Sequence, residues 1–315
     1  LLLLAAGVGW FVVQKLGTKP PEVAKDAPTA ITPKPSTAKV RDGTDPVKKA
    51  VAWALKAGGT VAGGTVGSLQ PVTSPDVIIG TVLDVRLAGA AVDDTALDNL
   101  RGLTELHTLS LTDTSVTDAG IGRLAGMPLA KALASLTLTG ANLTDAGLAH
   151  LTAFAGLVTL DLGKLGRLTP EGLAKLRNLP NLRRLGFRTC DLTDNHLTAL
   201  KGLPLTYLYL GENVRLTDAG LANLGRMSAL NELIFDGTGV TDAGLKAVAD
   251  DLPALASLSL TGTVPVTNAG LDHLRRSRVR LVSLGGSALT PQTVTPLPRC
   301  EIQVGGKTIA EPTDP

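Results

Sequence analysis

The sequence predicts an α/β solenoid, a stack of coils that each give one strand to a parallel sheet and one short helix to the opposite side. Three observations carry this reading. A skeleton of the form L-x-x-L-x-L begins at Val82, Leu106, Leu133, Leu157, Leu182, Leu205, Leu230, Leu255 and Val279, at intervals of 23 to 27 residues, a regularity that marks repeat architectures. A second block, Val/Leu-Thr-Asp-Ala-Gly, follows the skeleton nearly verbatim at Val116, Leu143, Leu216 and Val240, with close variants at Leu192 and Val266. The composition agrees: 44 % of residues are hydrophobic, only 3 % are aromatic, and 35 are glycine. A core with so few rings is filled by leucine, valine and alanine, which suits thin stacked layers.

The elements follow in chain order. Residues 1–13 are apolar, with no charged or amide side chain, and Lys15 ends the run. Such a run is shorter than the roughly 20 residues needed to span a bilayer. Residues 1–17 read as part of a membrane anchor, as a remnant of a secretion signal, or as a buried helix. No clear A-x-A cleavage site follows closely. Residues 18–46 contain Pro20, Pro21, Pro28, Pro33, Pro35 and Pro46 and almost nothing large and apolar, the composition of an extended linker. Residues 47–81 form an N-terminal helical cap. Val47, Val51, Ala54 and Leu55 share one helix face, Trp53 is available to cover core, and Gly58 and Gly59 stop the helix. The glycine-rich stretch after it reads as a small hairpin or an irregular cap. Nine coils then occupy residues 82–304, ending in a strand through Cys300, Ile302 and Val304, and residues 305–315 form a polar tail.

Within a coil each position has a physical reading. Leu109 and Leu111 alternate at strand period and point inward, and Leu136 and Leu138, then Leu160 and Leu162, stack on them in the next coils. Thr117, Thr144, Thr217 and Thr241 stand where a helix begins, so their hydroxyls cap it. The aspartate after each lies in the first turn, where the helix dipole favours it. The glycine two places later is a poor helix former. Its recurrence fits close approach of neighbouring coils, or equally the geometry of the helix start. The ninth position holds Thr114, Ala141, Leu165, Cys190, Asn213, Thr238, Thr263 and Ser287. Small polar groups at this inner corner can satisfy turn amides of adjacent coils.

The residues flanking the inward pair form the exposed face of the sheet, and most are Ser, Thr, Ala or Gly. Three consecutive coils depart from this: Arg184 and Arg188, then Tyr207 and Tyr209, then Glu232, Ile234 and Asp236. Both tyrosines of the chain lie here. Tyrosine and arginine are frequent anchors of protein interfaces, so the seven residues are a candidate binding patch for a peptide or protein loop. The alternative is a face where the tyrosines pack together and the charges form surface pairs of little energetic weight. The smooth Ser/Thr remainder would suit an extended polar ligand such as a glycan.

Other chemistries lack their residues. A net charge of +2 gives no support for a nucleic-acid partner, and Arg275, Arg276, Arg278 and Arg280 read as a solvated edge. His107, His150, His196 and His273 lie in different coils with no shared metal geometry and no adjacent nucleophile. Cys190 and Cys300 make no metal spacing, and Cys190 reads as a buried corner residue. The glycine-rich stretch from Gly58 to Thr65 lacks the closing Lys-Ser/Thr of a phosphate loop. Helix capping accounts for the Thr-Asp pairs better than calcium. The chain is expected to have no catalytic residues and no cofactor, and a small-molecule ligand is disfavoured.

The Leu-Thr-Asp-Ala-Gly-Leu coils resemble leucine-rich repeats with a helical outer side, similar to the cysteine-containing and ribonuclease-inhibitor-like classes. That resemblance covers the chain from Val82 to Val304. The apolar segment, Pro/Lys linker and Trp-containing cap together also resemble large paralogous sets in planctomycete bacteria. In those sets such an array sometimes follows a serine/threonine kinase domain and a membrane helix. No kinase domain is present here, so no catalytic role is implied. The resemblance implies a concave binding face for protein or peptide, with a structural or assembly element, or the ectodomain of a membrane-bound signalling protein, as alternatives. It also implies a membrane-anchored or exported protein of a bacterial cell envelope, with a cytoplasmic location left open.

Overall fold

The computed structural model describes residues 45–310, leaving aside Val66, Ile79, Ala90, Arg226, residues 263–265 and 286–288, and Pro291. The expected anchor or signal segment, the linker up to Thr44, the end of the polar tail and the corner residues Thr263 and Ser287 lie outside the described residues.

Helix α1 (Pro46–Lys56) begins where the Asp45 carboxylate accepts the Val47 amide at 2.8 Å, and Pro46 occupies the first turn, where its missing N–H costs nothing. Ala50, Val51 and Ala54 are fully buried, and Trp53 packs against them. The chain then makes the hairpin β1 (Thr60–Thr65) and β2 (Ser68–Val72), and β1 also runs antiparallel to β3 (Thr81–Ala88). Gly59 is required at the junction, because a Cβ there would lie 2.6 Å from the Arg86 carbonyl oxygen and 2.7 Å from Leu87 Cδ2.

From β3 the strand direction is constant. β4 (Thr108–Thr112), β5 (Ser135–Thr139), β6 (Thr159–Gly163), β7 (Arg184–Arg188), β8 (Tyr207–Tyr209), β9 (Glu232–Ile234), β10 (Ser257–Thr261), β11 (Leu281–Gly285) and β12 (Glu301–Val304) pair in parallel in sequence order. This is the α/β solenoid the period predicts. Leu109, Leu136, Leu160, Leu185, Leu208, Leu233, Leu258 and Val282 form one buried column, register-matched from strand to strand. Burying each such leucine contributes roughly 1.5–3 kcal/mol, but only when a neighbouring coil covers it.

The end of the sheet differs from expectation. Gly305 and Gly306 both take positive φ (57° and 77°), the backbone that a two-residue hairpin turn needs. The chain therefore folds back as β13 (Lys307–Ala310), antiparallel to β12. Part of the stretch read as a polar tail is an edge strand that closes the array.

The outer side carries α2 (Asp118–Ala125), α3 (Asp145–Leu151), α4 (Pro170–Ala174), α5 (Asp194–Thr198), α6 (Asp218–Leu224), α7 (Asp242–Asp251) and α8 (Asn268–His273). The threonines cap as expected: the Thr117, Thr144, Thr217 and Thr241 hydroxyls accept the amide two residues on. The aspartates do more than favour the helix dipole. Asp118 accepts from the Thr144 amide at 2.9 Å and the Thr144 hydroxyl at 2.6 Å, both in the next coil. Asp94, Asp145, Asp194, Asp218 and Asp242 repeat this bidentate clasp onto Thr117, Thr169, Thr217, Thr241 and Thr267. Each clasp ties one cap to the next.

The clasp decides between the two readings of the recurrent glycine. A Cβ on Gly220 would lie 2.5 Å from Asp194 Oδ1, and Gly120, Gly147, Gly172, Gly244 and Gly270 each face the preceding aspartate in the same way. Close approach of coils is the reason. The exception supports it. Pro170 replaces the aspartate in one coil, and in the next the glycine becomes His196. The imidazole fills the vacated space: Nδ1 accepts the Thr193 amide at 3.1 Å, and Nε2 donates to the Leu168 carbonyl at 3.0 Å. No helix of the described residues is long and apolar enough to cross a membrane.

Candidate concave-face site

The seven candidate residues sit on adjacent strands. Arg184 is in register with Tyr207 and Tyr207 with Glu232, while Gly186, Tyr209 and Ile234 form the next row. β6 borders the cluster on the other side, with Asp161 opposite Gly186 and Gly163 opposite Arg188. Alternation along each strand turns Leu185, Leu208 and Leu233 into the core and leaves their neighbours on the open face.

The turns after the strands are held from beneath by Asn213, the fully buried corner residue of its coil. Its Oδ1 accepts the Cys190 amide at 2.9 Å and the Leu192 amide at 3.1 Å, and its Nδ2 donates to the carbonyls of Phe187, Leu210 and Gly211. Two successive turns are fixed by one side chain, as expected of the corner position. Thr114 departs from that role: its buried hydroxyl has no hydrogen-bond partner among the described residues. Cys190 lies beside Asn213, and its thiol donates to the Leu162 carbonyl at 3.2 Å. Burial pushes the thiol up to about 11, so it stays protonated and unreactive at neutral pH.

Above this base the side chains divide into engaged and unengaged groups. The Arg184 guanidinium stacks on the Tyr207 ring, 3.9 Å from its centroid, a cation–π contact. Arg188 bonds Glu212 through Nε at 3.1 Å and Nη2 at 2.5 Å, and the Thr189 hydroxyl donates to the same carboxylate at 2.9 Å. Hydrogen bonds from Arg188 and then Thr189 hold the Glu212 carboxyl below its usual range. Asp236 is taken up by the scaffold, accepting from the Ser259 hydroxyl and the Thr261 amide, both at 2.7 Å. Of the predicted patch it is the residue with the clearest structural duty.

Tyr207 and Tyr209 are half-buried. Burial raises both phenols, with the Glu232 charge adding to the effect at Tyr207. The Tyr209 ring lies over Gly211 in the turn after β8, in space that a Cβ at 211 would occupy at 2.6 Å from the phenol oxygen. Burial also raises the carboxyl of Glu232, against the opposing pull of Arg184.

Asp161 and Glu212 belong to this surface and were absent from the predicted patch. Burial raises the Asp161 carboxyl, with Arg188 opposing. Its sequence signal was present: Asp161 is a charge among Ser, Thr and Gly on its column, next to a glycine that leaves it uncovered. Glu212 carries no strand-period signal because it follows β8 at a positive φ of 61°. Among the described residues no group of three His, Cys, Asp or Glu is placed to hold a metal ion. The surface offers aromatic faces, guanidinium groups and partly dehydrated carboxylates, which suit recognition of a polar partner.

No protein-family model matches the chain, and no curated protein does. Among solved structures, an internalin (InlF) from Listeria monocytogenes is 18 % identical, with 83 % of this chain and 90 % of that chain covered and a TM-score of 0.42. Internalin C2 from the same organism is also 18 % identical, with 82 % of this chain and 100 % of that chain covered and a TM-score of 0.45.

Proposed function

We propose that the chain is a non-catalytic module that binds a protein or peptide on the open face of its sheet, through Arg184, Arg188, Tyr207, Tyr209, Glu232 and Ile234, with Asp161 and Glu212 added. One observation carries the reading. Two half-buried tyrosines lie in register with an arginine, a glutamate and an isoleucine on three adjacent strands, whereas the flanking strands β4, β5 and β10 present only Ser and Thr. Aromatic side chains held rigid by their neighbours lose little conformational entropy on binding, which is how such residues become anchors. No cofactor enters this reading, and the charge gives a nucleic acid no purchase.

The test is recovery of interacting proteins from native lysate with the wild type, with a Tyr207→Ala/Tyr209→Ala variant and with a Ser110→Ala/Thr137→Ala control on the smooth face. Wild type and control should recover the same set, and the double-tyrosine variant should lose it. Loss of two anchors at about 2 kcal/mol each takes roughly a thousandfold from affinity. Identical recovery by all three proteins would leave the array as a structural element without a cognate ligand at this patch.

A further inference from the structure

Gly186 sits at the centre of the patch and has no side chain to cover what surrounds it. Asp161 stands on one side in register and Tyr209 on the other. A Cβ at 186 would lie 2.7 Å from Asp161 Oδ1, so the carboxylate occupies the space above the glycine.

The cations near this carboxylate make their hydrogen bonds elsewhere, although the Arg188 charge still acts on it. Arg184 lies on Tyr207, 3.9 Å from the ring centroid. Arg188 gives Nε and Nη2 to Glu212 at 3.1 and 2.5 Å. Lys164, one residue beyond β6, is held by Asp113 at 2.9 Å. Among the described residues no hydrogen bond or ion pair reaches the carboxylate of Asp161, nor that of Glu232 against Tyr207. Burial holds both carboxyls above their usual range. The patch as a whole sets Asp161, Glu212, Glu232 and Asp236 against Arg184 and Arg188. Its charge is negative, and its two unengaged charges are both carboxylates.

We propose that the Asp161 carboxylate, lying over Gly186 on the row that leads to Tyr209, receives a basic side chain, lysine or arginine, from an extended peptide segment of the partner. The inference rests on the peptide-binding reading of the patch. A basic head placed between Asp161 and the Tyr209 ring gains a charge-assisted hydrogen bond from the first and an aromatic face from the second. An acidic segment would meet uncompensated carboxylates at both Asp161 and Glu232. A neutral one would leave Asp161 as dehydrated as before.

The test is a selection of displayed random octapeptides on the full chain, followed by fluorescence-polarisation titration of the recovered peptides. Wild type should enrich peptides with lysine or arginine at one fixed position. Replacing that residue by norleucine or citrulline should weaken binding by about tenfold or more to the wild type and by less than about twofold to Asp161→Asn. The inference is overturned if the recovered peptides show no basic position, or if the replacement costs the same on both proteins. Either result leaves the peptide-binding reading intact. If the wild type recovers nothing that Tyr207→Ala/Tyr209→Ala does not also recover, the binding reading and the inference fall together. Asp161→Asn keeps the size and shape of a half-buried side chain, and thermal melts of both proteins check that the fold is retained.

Discussion

The junction between the fourth and fifth coils offers a direct test of how the solenoid is tied together. Six coils use an aspartate that clasps the next threonine and require glycine opposite it; this one uses Pro170 and His196. His196→Gly strips the partners from the half-buried Thr193 amide and Leu168 carbonyl. Loss of the cap-like bond costs about 1 kcal/mol, the orphaned groups about 1 more, and glycine in the helix about 1, roughly 3 kcal/mol in all. Pro170→Asp alone drives a carboxylate into the imidazole and forfeits a pre-set backbone, about 2 kcal/mol. The double variant rebuilds the clasp found at Asp194–Thr217 and retains the cost of the glycine and the Leu168 carbonyl, roughly 2 kcal/mol. The singles sum to about 5, so the coupling is about 3 kcal/mol, at the upper end for contacting residues. Urea denaturation followed by circular dichroism reads all four proteins. A double variant less stable than both singles, with costs adding to within about 0.5 kcal/mol, would refute the complementarity of aspartate and glycine across coils.

Three further outcomes follow from the same geometry. Asn213→Ala orphans the Cys190 and Leu192 amides at once and should destabilise by about 3–5 kcal/mol, more than any single Ser→Ala on the smooth face, as read from denaturation midpoints. Asp161→Asn should be more stable than wild type at neutral pH. A folded-state carboxyl raised by burial penalises folding above its folded pKa, and the penalty fades as pH falls through that value. The advantage of the variant should shrink on acidification, and an advantage constant between pH 7 and 4 would show that burial is not its source. Cys190, pushed up to about 11, should resist a thiol-specific disulfide reagent at pH 8 in the native state and react promptly in urea. Fast native modification would show that the corner opens.

The strand columns were legible because they depend on spacing within one coil, and alternation at Leu109 and Leu111 reports burial without reference to any neighbour. The clasp was legible only in part. Asp118 is in the first turn of α2, so its dipole role is visible locally, while its hydrogen bonds go to Thr144 in the next coil. The Pro170–His196 exchange was on view as two departures from consensus in successive coils, but their meaning needs the knowledge that a Cβ opposite an aspartate has no room. Asp161 was hidden for a different reason. Its state depends on where Arg188 points, and Arg188 points at Glu212 because the chain turns through positive φ at 189 and 212 (53° and 61°). Strand period says nothing about turn conformation. The hairpin at Gly305 and Gly306 is poorly legible because the polar character of the segment outweighs its turn signal.

Asp161 differs from the aspartates that the coils repeat. Asp94, Asp118, Asp145, Asp194, Asp218 and Asp242 each receive two hydrogen bonds from a neighbouring coil, and Asp236 receives two from β10, from the Ser259 hydroxyl and the Thr261 amide. The scaffold has ready means of satisfying a carboxylate, a threonine one coil along or a Ser–Thr pair on the next strand. At Asp161 the next strand offers Gly186 instead, which supplies no donor and leaves the carboxylate against low-dielectric surroundings. Serine or threonine at 186 would suit the pattern of β4, β5 and β10 and would place a hydroxyl in reach. Such an exchange, Gly186→Ser, should weaken any basic peptide, because the new Cβ displaces the Asp161 carboxylate and the new hydroxyl bonds it. A local arrangement that costs stability where the common alternative does not is the mark of a site built for something other than folding. That argument, which does not draw on Tyr207, supports the proposal that the row through Asp161, Gly186 and Tyr209 is where this sheet is used.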